Sequence, residues 1–551
     1  MSFISDLRYP HILLLGFFVS LILSGVTISS DEIINSDGMI YLNSARLYME
    51  GKWADAYTAW QWPLYPLLIA ATATIFSIGL ETAAYTLNTM FWAIVTIVFI
   101  MLVKEMGGNK RQIVTALVII LILPNINAYR EYIIRDAGYI AFFLLSLFFI
   151  IRQSKTGAWV DSLLWGISIL IAGLFRTEGF IFAIFLPLYV LLKNNLPLRE
   201  KILSITHLNS AIILLTIGSV IAFVLSAELR HLYQQYLNFE TLEVAKKVNF
   251  ILSYADVISA IRDKIEVNVL PKGAAGYSWV IYFISVLIIF LLEVLKSAGV
   301  ILGFIIVYAL YKKTFNPRSR SSAMLIWQVA IIGQLFILFV FVSGQMFLSG
   351  RYLLVFVILM ALAAPFGLLG IYDNWKSRIA GLSFAKYAFP ILGLCLTYNA
   401  IDSVTSFGYS KLYIKEAGLW LKNNSADNTK LFSTEVGAVY YSAHENYSAR
   451  NSIAVGLREY TWVEAHEVLV SGEWKKYDYM AFRIKKNSPK IPEIVFNHTG
   501  LKVYKKFSNK RGDAIIIYKV TGASGASGAS GAEKNPLAIS YLNNHRYVSS
   551  E

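Results

Sequence analysis

Long apolar stretches with few or no charged residues recur from residue 11 to about residue 402 of the 551-residue chain. A helix needs roughly 20 mostly apolar residues to cross the hydrocarbon core of a bilayer, and a spanning segment must satisfy its own backbone hydrogen bonds. The stretches with the length of a single span are 11–29, 82–103, 112–128, 137–151, 159–174, 178–192, 210–227, 322–343, 352–372 and 385–402. The sequence therefore predicts a polytopic α-helical membrane protein with about eleven to thirteen spans.

Much of the formal net charge of +14 lies in short loops between these stretches. In a soluble protein such an excess favours nucleic acid as a partner, but between spans Lys and Arg mark the cytoplasmic side. The residues concerned are Lys104, Lys110, Arg111, Arg152, Lys155, Lys193, Arg199, Lys201, Lys312, Lys313, Arg318, Arg320, Lys376 and Arg378. We therefore expect no nucleic-acid partner and a multi-pass protein whose basic loops face the cytoplasm.

The basic loops also decide how two ambiguous segments are counted. Residues 60–79 have the hydropathy of a span, yet a crossing there would move the basic loop 104–111 outside. We therefore expect 60–79 to form an interfacial or re-entrant hairpin, and we count one crossing within 278–311. With this count the outer loops are 30–81, 129–136, 175–177, 228–277 and 344–351, together with everything after residue 403.

The composition changes after residue 402, where we expect the transmembrane domain, 1–402, to end. Residues 403–520 combine helical segments at 409–423 and 461–470 with short apolar runs, which predicts a small α/β domain outside the membrane. The predicted strands are 430–434, 438–441, 478–482, 501–504 and 514–518. Residues 521–551 begin with three Gly-Ala-Ser repeats, which is typical of an engineered flexible linker and tail. A tethered acceptor peptide is the alternative interpretation of this tail.

The predicted outer loops contain charged residues directly beside the spans. The residues singled out are Asp37 in the first loop, Arg135 and Asp136 before a span, Arg176 and Glu178 in a short loop, and Arg351 before Tyr352. Guanidinium groups at the level of the lipid headgroups suit a lipid phosphate, which they bind through two parallel hydrogen bonds. A carboxylate there faces water and lipid together, so Asp37 is a candidate for activating an acceptor against a lipid-borne donor.

These motifs resemble the GT-C superfamily of integral-membrane glycosyltransferases, especially the branch of protein mannosyltransferases and aminoarabinose transferases that uses polyprenyl-phosphate sugars. The resemblance runs over most of residues 1–520. It rests on Asp37 with Tyr41, Arg135-Asp136, Arg176 with Glu178, Arg351-Tyr352 and the segment 433–442. One departure is the segment Trp62-Pro63-Leu64-Tyr65-Pro66, where that branch often has a basic residue before Pro-Pro-Leu.

The resemblance implies roles for these residues. Asp37 is expected to be the general base that takes a proton from the acceptor hydroxyl. Arg351, with Arg176 and Arg135, is expected to bind the donor phosphate and stabilise it as it leaves. Tyr41, Tyr352 and Glu178 are expected to contact substrate.

Asp136 has two possible roles, orienting an arginine or binding a divalent cation together with Asp37. We favour the first, because no cluster of His, Asp or Glu has metal-ligand spacing. No cofactor is therefore certain, and a divalent cation stays possible.

Each assignment has a structural alternative. Asp37 could cap a helix over 38–49. Arg135 and Asp136 could form an ordinary interfacial salt bridge, Arg176 and Glu178 could anchor a turn, and Arg351 could extend to the headgroups.

The function expected from these observations is that of an inverting glycosyltransferase in a bacterial inner membrane. It would act on the periplasmic side and move a sugar or oligosaccharide from undecaprenyl phosphate to a protein such as pilin, to lipid A or to a cell-envelope glycan. The alternative is a transporter or flippase of lipid-linked saccharides. Such a protein places its polar groups at mid-membrane on broken helices, whereas the charges here are concentrated at the predicted outer rim.

Overall fold

The structure is a computed structural model. It describes residues 8–193, 196–226, 252–312, 314–315, 321–378, 410–426, 429–443, 462–486, 501 and 503–520, together with positions 391, 393, 394, 397, 398, 401 and 404. The predicted tail 521–551, Cys395, most of the predicted span 385–402 and most of the long loop 228–277 before residue 252 lie outside the described residues.

Helices dominate the described residues. In chain order they are α1 (Tyr9–Ser30), α2 (Ser36–Met49), α3 (Trp53–Ala59), α4 (Leu64–Phe76), α5 (Leu80–Glu105), α6 (Lys110–Ile122), α7 (Pro124–Asn127), α8 (Asp136–Thr156), α9 (Trp159–Phe175), α10 (Glu178–Phe185, continued by a 3₁₀ segment Leu186–Leu192), α11 (Leu198–Leu225), α12 (Tyr254–Asn268), α13 (Ser278–Ala298, preceded by a 3₁₀ segment Lys272–Tyr277), α14 (Val300–Tyr311), α15 (Ser322–Gln345), α16 (Leu354–Ala361), α17 (Ala364–Arg378), α18 (Leu412–Asn424), α19 (Val436–Ser442) and α20 (Trp462–Val470, followed by a 3₁₀ turn Glu473–Lys476). The strands are β1 (Leu431–Ser433), β2 (Tyr479–Ile484), β3 (Val503–Ser508) and β4 (Ala514–Lys519).

The chain divides into two compact units. The first unit comprises Met1–Ser30 and Ala84–Ser406, and the second comprises Asp31–Ala83 and Phe407–Glu551. Residues 31–83, which include nearly all of the predicted outer loop 30–81, thus group with the C-terminal α/β residues.

Membrane-spanning helices account for most of the first unit. Among the described residues, six helices are long and apolar enough to cross a bilayer, and the pair α16 and α17, bent by 41°, is a seventh if it counts as one span. The six are α1, α5, α8, α11, α13 with its preceding 3₁₀ segment, and α15. Together with the small sheet described below, they confirm the prediction of a polytopic helical membrane protein with a C-terminal α/β domain.

Several stretches predicted as spans are shorter or bent in the structure. The predicted span 112–128 contains the 13-residue helix α6, and 352–372 contains the bent pair α16 and α17. Helix α4, within the segment expected not to cross, also has 13 residues. At 1.5 Å per residue α4 is about 20 Å long, which is less than the roughly 30 Å hydrocarbon core.

A buried arginine fastens α1 to the segment before α8. The Arg130 side chain is 0% exposed. Its Nη1 donates hydrogen bonds to two hydroxyl groups of α1, Ser20 Oγ at 3.0 Å and Ser24 Oγ at 2.9 Å. Its Nε donates to Asn127 Oδ1 at 2.9 Å. Thr96 Oγ1 of α5 donates to Ser20 Oγ at 3.2 Å. None of these partners is a carboxylate, so neutral oxygens solvate this guanidinium within the protein.

The C-terminal part of the second unit is a four-stranded sheet in the order β1-β2-β4-β3. Strands β1 and β2 are parallel, and β4 pairs antiparallel with both β2 and β3. One side of the sheet packs against residues of α18 and the other against residues of α20, which forms two small cores. A sheet with helices on both sides agrees with the small α/β domain that the alternating helices and strands predict.

One predicted strand is wrong. Residues 438–441 were expected to extend a sheet because Val and Tyr favour strands, but they lie in α19. The Glu435 side chain accepts a hydrogen bond from the Gly437 amide and begins this helix at the end of β1. A parallel β1–β2 pair requires a crossover connection, and the helix that starts that connection overrides the local strand preference.

Helices α9 and α10 of the first unit approach each other as closely as a glycine allows. A Cβ atom added at Gly179 would lie 2.3 Å from the Gly173 amide nitrogen and 2.6 Å from the Ala172 carbonyl carbon. Both are backbone atoms of α9, so a side chain at position 179 has no flexible neighbour to displace. The neighbouring Glu178 is held in place by this contact.

We predict that Gly179→Ala lowers the midpoint of thermal unfolding in detergent, because overpacking at a fixed backbone costs about 1–3 kcal/mol. Gly218→Ala in α11 is the matched control, since a Cβ there meets nothing within 4 Å. Thermal unfolding followed by tryptophan fluorescence compares the two. Equal midpoints for both variants would contradict the packing described here.

Candidate functional site

A pocket in the first unit collects most of the charged residues that the sequence analysis singled out. It lies among the start of α8, the α9–α10 turn, the second half of α15 and the segment leading into α16. Its lining comprises Asp136, Tyr139, Ile140, Arg176, Glu178, Gln334, Ile337, Leu338, Phe341, Arg351, Tyr352 and Val355. Charged groups and an apolar wall thus meet in one place.

Asp136 is the centre of the charged group. It is 2% exposed and occupies the first position of α8. Its Oδ2 accepts hydrogen bonds from Arg351 Nε at 2.8 Å and Arg351 Nη2 at 2.5 Å. Its Oδ1 accepts from Arg176 Nη1. One buried carboxylate therefore holds two arginines that are 175 positions apart in the chain.

Arg176 bridges Asp136 to a second carboxylate. Its Nε and Nη2 donate to Glu178 Oε1 at 3.2 and 2.5 Å. The guanidinium Cζ lies over two aromatic rings, 5.2 Å from the centre of the Tyr352 ring and 5.8 Å from that of Tyr139. These contacts combine charge pairing with cation–π attraction, so the side chain has little rotational freedom.

The segment that carries Arg351 is anchored by neighbouring polar groups. The Arg351 amide donates to Ser349 Oγ at 3.4 Å, and Tyr129 hydrogen-bonds to the same serine. Burial raises the pKa of the Tyr129 hydroxyl above its ordinary value, while the bond to Ser349 and the charge of Arg351 act in the opposite direction. Tyr129 therefore stays protonated and neutral at physiological pH.

The four charged side chains that line the pocket have formal charges that cancel. Arg176 and Arg351 balance Asp136 and Glu178. Arg135, next to Asp136 in the chain, adds a positive charge that attracts the same carboxylate. The two arginines of the lining are thus held by carboxylates within a neutral group.

The structure brings together Asp136, Arg176, Glu178, Arg351 and Tyr352 from the sequence prediction, with Arg135 next to Asp136. Sequence analysis missed two polar residues in the lining, Tyr139 and Gln334. Tyr139 lies one helical turn after Asp136 and therefore on the same face of α8. Gln334 is a polar residue near the middle of the apolar helix α15, which by itself indicates a special role.

The two remaining predicted residues belong to the second unit. Asp37 lies in the first turn of α2, and the N-cap of that helix is Asn35. The N-cap position, which the structural alternative gives to Asp37, is thus occupied by Asn35. Tyr41 is 1% exposed, and its ring packs edge-on against Trp60 and Tyr65 with centroids 5.1 Å apart in both pairs.

The described carboxylates and histidines are not arranged as a metal site. No group of three or more His, Cys, Asp or Glu in the described part of the chain is arranged to hold a metal ion. Both carboxylate oxygens of Asp136 accept hydrogen bonds from guanidinium groups, and a cation at either oxygen would have to displace an arginine. The arrangement fits the role of orienting arginines, which the sequence analysis favoured.

The chain resembles known proteins in its structure and not in its sequence. No profile of a known protein family matches the sequence, and no characterised protein sequence matches it. The oligosaccharyltransferase AglB from Archaeoglobus fulgidus, solved with an inhibitory peptide and a dolichol-phosphate, matches with a TM-score of 0.51 over 87% of this chain and 70% of its own at 12% identity. The chain has the GT-C fold.

Two further solved structures resemble the chain at lower scores. A second structure of the A. fulgidus oligosaccharyltransferase, a complex with zinc and sulfate, has a TM-score of 0.49 at 12% identity and covers 92% of this chain and 73% of its own. ArnT from Cupriavidus metallidurans in the apo state has a TM-score of 0.48 at 11% identity and covers 92% of this chain and 97% of its own.

We predict that Asp136→Asn destabilises the protein strongly, because the uncharged amide replaces a buried carboxylate that pairs with two partly buried arginines. Breaking a buried pair costs about 3–5 kcal/mol. Asp161→Asn is the matched control: Asp161 is also 2% exposed, but it pairs with one arginine, Arg152, whose side chain is 45% exposed. Midpoints of thermal unfolding in detergent should fall further for Asp136→Asn. The opposite ranking would show that the arginine cluster is not held by Asp136.

Proposed function

We propose that this protein is an inverting membrane glycosyltransferase that moves a sugar from a polyprenyl-phosphate carrier to an acceptor hydroxyl. The observation that carries the proposal is the pair of arginines, Arg176 and Arg351, fixed by Asp136 at a pocket with an apolar wall. An anionic head on an apolar chain has the matching chemistry. The likeness in fold to AglB, which was solved with a dolichol-phosphate, supports the same class of ligand.

The arginines suit a phosphate in geometry as well as in charge. The Arg351 side chain is 23% exposed and that of Arg176 is 11% exposed, whereas Asp136 is 2% exposed. The carboxylate therefore lies behind the arginines and holds them in place for a ligand in the pocket. Guanidinium groups oriented in advance lose little conformational entropy when they bind phosphate oxygens. Ile337, Leu338 and Val355 supply the apolar wall for the first part of the carrier chain.

The reaction follows from these roles. The acceptor oxygen forms a bond to the anomeric carbon of the sugar while the bond from that carbon to the phosphate oxygen breaks on the opposite face. The acceptor proton passes to the Asp37 carboxylate. The departing polyprenyl phosphate gains one negative charge, which Arg351, Arg176 and Arg135 stabilise. Tyr41, Tyr352 and Glu178 are the proposed substrate contacts.

The proposed location is a bacterial inner membrane, with the active site and the C-terminal domain on the periplasmic side. The support is the set of basic loops, which by the positive-inside rule face the cytoplasm. Undecaprenyl phosphate is the corresponding carrier, and the acceptor is a protein such as pilin, lipid A or a cell-envelope glycan. Mass spectrometry of lipid extracted from the purified protein identifies the donor by the sugar attached to its polyprenyl phosphate.

We predict that Asp37→Asn lowers the transfer rate roughly 10²–10⁴-fold, because the amide keeps the size of the side chain but cannot take a proton. Asp55→Asn is the matched control, since Asp55 also lies in the first turn of a helix of the second unit and is exposed. The rate is measured as release of polyprenyl phosphate from the extracted donor. Activity of Asp37→Asn within a few-fold of the wild type would remove Asp37 from the base role. Donor binding without transfer by the wild type would favour a flippase.

We predict that Arg351→Ala weakens the binding of undecaprenyl phosphate about 10- to 150-fold, the equivalent of roughly 1.5–3 kcal/mol for hydrogen bonds to a charged group. Arg351→Lys should recover part of the affinity because it keeps the charge without the paired geometry. Arg111→Ala removes an exposed arginine, paired with Asp373 at 3.1 Å, and serves as the control. Titration in nanodiscs with undecaprenyl phosphate and with undecaprenol, which lacks the phosphate, separates the contribution of the phosphate to the affinity from that of the polyprenyl chain. Unchanged phosphate affinity in Arg351→Ala would place the phosphate elsewhere.

A further inference from the structure

Two buried polar groups in the pocket have no role in the reaction described above. Tyr139 is 3% exposed and Gln334 is 4% exposed, and both line the pocket. Neither the Tyr139 hydroxyl nor Gln334 Oε1 has a hydrogen-bond partner among the described residues. They lie on α8 and α15, which pack against each other in the first unit.

Burying these two polar groups without hydrogen bonds lowers the stability of the protein. Burying a hydroxyl or an amide without a hydrogen bond costs about 1–3 kcal/mol in proteins, and within the depth of a membrane no bulk water compensates. Gln334 is the thirteenth of the 24 residues of α15, and a leucine of similar size would fill that position without the cost. A polar residue kept at such a position is a functional hypothesis by default.

The chemistry of the two groups restricts what they can recognise. The amide of Gln334 offers an acceptor beside a donor, and the Tyr139 hydroxyl offers both in one atom. A phosphate oxygen only accepts, and a polyprenyl chain does neither. A sugar hydroxyl both donates and accepts, so it matches the chemistry of the amide oxygen and of the phenol.

We infer that Tyr139 and Gln334 form a subsite for hydroxyl groups of the lipid-linked sugar, and this inference rests on the proposed function. The phosphate of the same molecule is held by Arg176 and Arg351 at the same pocket. The rings of Phe341 and Tyr352, whose centroids are 4.6 Å apart, also line this pocket. The pocket thus recognises both the phosphate and hydroxyl groups of the donor.

The test compares two lipids in nanodiscs: undecaprenyl phosphate and undecaprenyl phosphate carrying glucose, mannose or galactose. Tyr139→Phe and Gln334→Leu each remove one polar group at nearly constant volume. We expect each variant to weaken binding of the hexose lipid that the wild type prefers by roughly two- to twelvefold, as for one lost hydrogen bond. Affinity for undecaprenyl phosphate should change less than twofold.

Two matched controls remove buried polar groups outside the pocket. Ser162 Oγ and Asn209 Oδ1 are also buried without a hydrogen-bond partner among the described residues, and neither residue lines the pocket. Ser162→Ala and Asn209→Leu should leave the affinities for both lipids unchanged. If the controls lose as much affinity for the hexose lipid, the effect is one of general destabilisation and the inference is overturned.

The remaining outcomes separate this inference from the proposed function. If Tyr139→Phe and Gln334→Leu weaken both lipids equally, or neither, the two groups do not read the sugar and the inference fails while the phosphate site stands. The inference also fails if none of the three hexoses adds to the affinity of the wild type for undecaprenyl phosphate. If the wild type binds undecaprenol as tightly as undecaprenyl phosphate, the proposed phosphate site itself is wrong.

Discussion

The arrangement of the pocket depends on one buried carboxylate. Two guanidinium groups as close as those of Arg176 and Arg351 repel each other strongly in a low-dielectric environment, and Asp136 makes their proximity stable. Because Arg176 follows α9 and Arg351 precedes α16, the same carboxylate ties three separate parts of the first unit together. The ion pairs that position the two arginines are therefore also tertiary contacts of the fold. The cost of desolvating Asp136 is offset by hydrogen bonds at both of its oxygens.

The second carboxylate makes the surroundings of the two arginines unequal. Glu178 binds two nitrogens of Arg176, which therefore bridges two carboxylates. Arg351 binds Asp136 through two nitrogens and has the more exposed side chain of the two.

Much of this arrangement could be predicted from the sequence, because a charged residue beside an apolar stretch stands out. Asp136, Arg176 and Arg351 were all found for that reason. Tyr139 and Gln334 were not, since tyrosine and glutamine carry no charge and an isolated one in an apolar helix passes as packing. The number of spans is likewise hard to read from hydropathy, which does not reveal a break such as the bend between α16 and α17. In the second unit, the helix at 436–442 depends on the pairing of β1 with β2, a contact that no local preference encodes.

The burial of Arg130 without a carboxylate has a consequence for the order in which the protein is assembled. Its hydroxyl partners on α1 precede it by 110 and 106 positions, so the ribosome releases them long before the arginine. The guanidinium then enters an apolar interior where its solvation is already in place, and no acidic residue is needed to accompany it. A chain that lost α1 by proteolytic processing would leave this cation with Asn127 as its remaining side-chain partner. The hydroxyl groups of α1 are thus part of the polar environment that surrounds the buried cation at position 130.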